Sequence, residues 1–176
     1  MKTTTLDTCP GCLAQLPDIG SPIHRYIGAS GACWDLFAGL SNGGEPPLAP
    51  GLLNGLLVDA YAAQHPGVPS DQSIQSVAVH LLTLYGVLHK GVSPNLALTI
   101  RLKAVSERQQ AKHGRFQWLT PPDLSGGITV ADIAAQPTPE ARTDLLTRYI
   151  HEVWARWAPL HQTTIAAWFE QYVGVC

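Results

Sequence analysis

The stretch that decides the fold is "SDQSIQSVAVHLLTLYGVLHKG", residues 70–91. Ile74, Val77, Ala78, Leu81, Tyr85 and Leu88 recur at steps of three and four, the spacing of one face of an α-helix. Ser70 offers an N-cap oxygen and Gly91 a stop. A helix with one apolar stripe buries that stripe against neighbouring elements, so the surrounding chain has to supply partners.

It does so on both sides. "SPNLALTIRLKAVSERQQAK" (93–112) reads as a helix capped by Ser93, with Pro94 in its first turn. "HGRFQWLTPPDLSGG" (113–127) reads as a loop, and Thr129 with Asp132 forms a capping box that opens a short helix. The last helix runs from Thr138 and Pro139 to about Tyr172, with Leu146, Ile150, Trp154, Trp157, His161, Ile165, Trp168 and Tyr172 on one stripe. Pro159 lies inside it and predicts a kink or break near Ala155 to Ala158. Toward the N-terminus, "GLLNGLLVDAYAAQ" (51–64) carries Leu53, Leu56, Leu57, Ala60 and Gln64 on one face and ends at "HPG". "ACWDLFAGL" (32–40) is a further short helix, stopped by "SNGGEPPLAP".

Residues 1–32 differ. Prolines and glycines punctuate them, no helical period survives, and no strand alternation of useful length is present. The expected fold is therefore all-α: a bundle of four to five helices with an irregular N-terminal arm, in a single domain spanning 1–176.

Composition narrows the function. Hydrophobic residues make up 45% of the 176-residue chain and charged residues 14%, which fits a packed core rather than a disordered segment. The net charge is −2 with no Lys/Arg cluster, so no nucleic-acid footprint and no attraction to an anionic membrane is expected. No apolar run is long enough to span a bilayer, and "MKTTTLDTCPGC" lacks the apolar stretch of a signal peptide. A cytoplasmic location is expected, where thiols stay reduced.

Against that background "CPGC" (9–12) is the most informative short motif. Thiols two residues apart can face one ion, and the Pro-Gly between them favours the turn. Zinc takes four ligands in a tetrahedron, so two more are needed. Cys33 and His24 complete a C-x2-C-x11-H-x8-C pattern that would tie the arm to the first helix. His65 or His80 replaces His24 if the knuckle reaches the helical core. A redox C-x-x-C would need a preceding strand and a following helix, and no strand is expected before Cys9. Free thiols on a loosely held arm remain the simplest alternative. Cys176, the last residue in the sequence, is read as a bystander.

A second constellation lies in the helices. Asp59, His65, His80 and His161 border or interrupt apolar faces of three different helical segments. If they converged, imidazole and carboxylate would suit zinc, iron, nickel or manganese, and an open coordination position would activate water. The competing reading is that each is a buried polar group, hydrogen-bonded to a neighbour such as Asp59 or Tyr61. The five tryptophans are read as core. No phosphate loop, dinucleotide fingerprint, H-E-x-x-H or nucleophile elbow is present.

Taken together, "CPGC", "GASGACW", "VDAYAAQHPG", "SVAVHL" and "VWARWAPLHQTTIAAWF" resemble a family of small bacterial proteins of unknown function, over roughly Cys9 to Phe169. The resemblance implies that Cys9, Cys12, Asp59, His65 and His80 sit in signature segments. In that pattern a glycine often follows the knuckle, and here Leu13 takes its place.

Three functions follow as expectations. The first is a zinc-binding helical protein. The second is a metal-dependent hydrolase or transferase using the Asp/His constellation. The third is a metal-free interaction module in which an exposed tryptophan stripe on the last helix docks a partner or a second copy of the chain.

Overall fold

A computed structural model describes residues 5–43, 48, 53–106 and 114–173. Cys176 and the expected C-terminal end of the 93–112 helix lie outside the described residues.

The described chain is mostly helical. Two short strands, β1 (Leu6–Thr8) and β2 (Gln15–Pro17), precede the helices and pair antiparallel, with Asp7 opposite Leu16. The helices are α1 (Gly31–Ser41), α2 (Leu53–Gln64), α3 (Asp71–Lys90), α4 (Pro94–Ala104), α5 (Val130–Ala134) and α6 (Pro139–Val173).

Local chemistry sets the helix ends. Ser70 and Ser73 form a reciprocal capping box on α3, and Gly91 closes that helix in the left-handed conformation at φ 66°. Ser93 caps α4 ahead of Pro94, and Thr129 with Asp132 caps α5.

Packing then orders the helices. α3 is the centre of the bundle and lies against α2, α4 and α6, while α2 also packs directly on α6. From Leu81 to Gly86 every residue of α3 is buried, as expected for a helix with neighbours on several sides. Trp157 is fully buried on α6, and its indole N–H donates to the Ala63 carbonyl on α2 at 3.1 Å. Gln64 is also buried, donating to the Ile128 carbonyl and accepting from the Tyr149 hydroxyl. Both bonds satisfy polar groups that would be costly to bury alone. α5 fills the space between α1 and α6 with Val130 and Ile133.

Two local expectations change. The arm is not irregular throughout, because β1 and β2 form a hairpin with "CPGC" at its tip. Strands this short carry no readable alternation. Their hairpin is anchored through Leu16, which is buried where β2 meets α1. Nor does Pro159 break the last helix, which is continuous from Pro139 to Val173. Pro159 and Ala155 are both exposed, so the carbonyl that loses its partner can turn to water. Trp157 and Ile165 are fully buried on either side and hold the helix in line.

Candidate metal centre

Three parts of the chain meet beneath the hairpin tip. Cys9 follows β1, and Cys12 lies three residues on. The turn between them is closed by the Leu13 N–H donating to the Cys9 carbonyl and the Cys9 N–H donating to the Ala14 carbonyl, both at 2.9 Å. Cys33 lies in the first turn of α1, where its N–H donates to the hydroxyl of the N-cap Ser30 at 3.3 Å. His65 directly follows α2 and is continuous with it, its N–H donating to the Tyr61 carbonyl at 3.0 Å.

The donor atoms of Cys9, Cys12, Cys33 and His65 all lie within 4.8 Å of one another. Cys12 Sγ is 3.9 Å from Cys33 Sγ, and Cys33 Sγ is 3.5 Å from His65 Nε2. All four residues are almost fully buried, at 3% exposure or less. His65 Nδ1 is 2.8 Å from the Tyr61 carbonyl and must be the donor there, so in the neutral ring Nε2 keeps its lone pair toward the sulfurs. The Tyr61 hydroxyl donates to Cys33 Sγ at 3.5 Å. Burial, reinforced by the neighbouring Cys33 sulfur, pushes the Tyr61 hydroxyl far up and keeps it a donor.

The sulfurs compete for protons. Hydrogen bonds from Cys12 and then Cys33 hold the Cys9 thiol far below its ordinary value. Cys12 feels a lowering bond from Cys33, but the Cys9 sulfur and burial outweigh it and push the group up to about 11. The bonds to Cys12 and Cys9, followed by burial, drive the Cys33 thiol up further. Three thiolates cannot share a small buried volume without a compensating positive charge. A dication would supply that charge, and three sulfurs with one imidazole are a recurrent zinc donor set.

Backbone features adapt the hairpin tip to this cluster. A Cβ on Gly11 would fall 2.7 Å from the Gly28 carbonyl oxygen and collide with the His65 ring, so only glycine lets the knuckle come this close. Leu13 stands at φ 61°, the left-handed region that favours glycine. The knuckle geometry is thus retained with leucine where the related pattern often has glycine.

The other sequence candidates are placed elsewhere. His24 is not in the cluster: its ring packs on Trp34 with centroids 4.3 Å apart, and its Nδ1 accepts from the Ile27 N–H at 3.2 Å. A nitrogen engaged by its own backbone turn is not directed at the sulfurs. Of the two alternatives, His65 joins the thiols and His80 does not. Asp59, His65, His80 and His161 likewise do not converge. Asp59 is buried and its Oδ1 accepts from His80 Nδ1 at 2.6 Å and from Arg101 Nη1 at 2.7 Å. His161 donates from Nε2 to the Thr120 carbonyl at 2.8 Å. Helical periodicity placed these groups on inward faces but carried no information about which faces meet. Arg101 was missed at the sequence level. The available signal was the need of a buried Asp59 for a cation on a neighbouring helix.

Nor is the tryptophan stripe an open face. Trp154 and Trp157 are buried, and Trp168 packs edge-on against Phe116 with centroids 4.9 Å apart. No helix of the described residues is long and apolar enough to cross a membrane.

Comparison with known proteins supplies a family but no activity. A family of unknown function (DUF5946) matches residues 7–158, most of the chain, and the protein belongs to that family. The match takes in Cys9, Cys12, Cys33 and His65. No curated protein and no solved structure matches the chain.

Proposed function

We propose that this is a zinc-binding helical protein in which Cys9, Cys12, Cys33 and His65 hold one ion that is structural rather than catalytic. The observation that carries the reading is the meeting of four ligand atoms within 4.8 Å in a buried pocket. Four protein donors fill a tetrahedron and leave no position for water or substrate, which is the pattern of a structural site. Zinc is preferred over iron, nickel and manganese because of the thiolate-rich donor set and the closed geometry. The ion would join the hairpin, the start of α1 and the end of α2, and so contribute folding free energy to an arm with little core of its own. A site that depends on reduced thiols suits a cytoplasmic location.

Elemental analysis of protein purified without an affinity tag tests the proposal. The expected result is about one zinc per chain. That zinc should be lost in Cys9→Ser/Cys12→Ser and retained in His24→Ala and His80→Ala. Protein free of metal after expression in zinc- or iron-supplemented medium would refute it.

A further inference from the structure

A separate pair of groups, His80 and Arg101, lines a groove and shares the buried Asp59. His80 Nδ1 and Arg101 Nη1 both donate to Asp59 Oδ1, at 2.6 Å and 2.7 Å, so one buried carboxylate fixes two side chains from two different helices. Asp59 is 1% exposed, while the side chains of His80 and Arg101 are 16% and 22% exposed. Among the described residues, neither His80 Nε2 nor the remaining guanidinium N–H groups of Arg101 has a partner, and neither side chain holds an orphaned buried atom. Both residues line one groove of about 330 Å³, together with Tyr26, Gln72, Ser76 and Leu102.

We propose that this groove binds a small carboxylate carrying a neighbouring hydroxyl. Arg101 keeps free donors in the fork that matches a carboxylate. With Nδ1 on Asp59, Nε2 is the ring nitrogen left for the groove, and a hydroxyl, which both donates and accepts, is complementary to it. Asp59 itself is turned inward, so no carboxylate among the lining residues repels an acid. The volume is at the small end of ligand sites and suits a compact molecule. Gln72 and Ser76 add neutral polar groups, and Leu102 gives one apolar wall. The groove shares none of the four residues grouped in the candidate metal centre.

The test is a titration of the full metal-loaded chain with glycolate and lactate, with acetate and inorganic phosphate as comparators. The readouts are calorimetry and the imidazole nitrogen resonances of His80. Saturable hydroxy-acid binding is expected with a Kd below about 1 mM, and acetate, lacking the hydroxyl, should bind about tenfold more weakly. The Nε2 resonance should move more than Nδ1. Arg101→Gln should weaken binding by at least about tenfold. Because that change also disturbs the Asp59 clamp, Ser76→Phe serves as a second variant: it fills the groove, leaves the clamp intact and should abolish binding. Absence of saturation by about 20 mM hydroxy acid, undiminished binding in Ser76→Phe, or equal binding of phosphate would each overturn the assignment.

Discussion

The ring of His65 and the backbone carbonyl of Tyr61, one helical turn earlier, are joined over 2.8 Å, and that bond aims Nε2 at the sulfur of Cys33, 3.5 Å away. A metal-binding imidazole is commonly fixed in this way by a bond from its other nitrogen. His65→Ala is expected to lose the ion and His65→Cys to retain it as a four-thiolate site. Elemental analysis and the absorption of a cobalt-substituted sample distinguish the two. Retention of a full equivalent by His65→Ala would remove His65 from the site.

Gly11 is the contact point between the knuckle and His65. Gly11→Ala forces a methyl group into a packed position between the ring and the Gly28 carbonyl. Overpacking of this kind costs about 2 kcal/mol, read as a lower denaturant midpoint at unchanged slope. Metal should also be surrendered to a chelator faster than in the wild type.

Leu13 should respond in the opposite direction. At φ 61° a leucine is strained, whereas glycine is not. Its side chain is 48% exposed, so little packing is lost on removal. Leu13→Gly is expected to stabilise the protein by about 1 kcal/mol, and a destabilised variant would show that the side chain packs more productively than its exposure suggests.

Asp59 holds α2 to α3 and α4 through His80 and Arg101. Asp59→Ala leaves the Arg101 charge half-buried without its partner and should cost about 3 kcal/mol, the low end for breaking a buried pair. Thermal unfolding measures this. Zinc content should remain at one equivalent, which separates the clamp from the metal centre.

The thiols predict how pH acts once metal is stripped by a chelator. Cys9 has its folded value lowered below 9.0, so its contribution is present above that pH and fades as pH falls. Cys12 is raised from 9.0 to about 11 and Cys33 is raised as well, so their contributions are present below pH 9.0 and are lost as pH rises through that window. Metal-free protein should therefore lose stability from about pH 9 upward. Metal-loaded protein would hold all three sulfurs as thiolates, so its stability should instead fail at acid pH as protons displace the ion. Melting temperatures of both forms across pH 5–11 check this, and an identical alkaline loss in the two forms would count against thiolate ligation.

Much of the helical frame was readable one segment at a time. The caps at Ser70, Ser93 and Thr129 and the stop at Gly91 depend on bonds between residues a few positions apart, so the sequence order contains them. The apolar stripes of α3 and α6 were readable for the same reason. The hairpin was not, because strands of three residues leave too few positions for a period. The effect of Pro159 was not readable either. Whether a proline breaks a helix depends on which face it occupies and on what is buried beside it, here Trp157 and Ile165.

The sequence by itself determined the helix faces, the paired-cysteine motif and the short set of groups able to bind a metal, because each is a matter of residue type and spacing along the chain. Only the tertiary structure decided that His65 rather than His24 meets Cys9, Cys12 and Cys33, and that His80 turns to Asp59 and Arg101 instead. His24 is nearer the thiols in sequence, but its ring is used by its own loop and by Trp34. His65 is brought in because the end of α2 packs beneath the hairpin tip, where Gly11 leaves room for its ring. Which histidine meets the thiols follows distance through space, and that distance is set by helix packing.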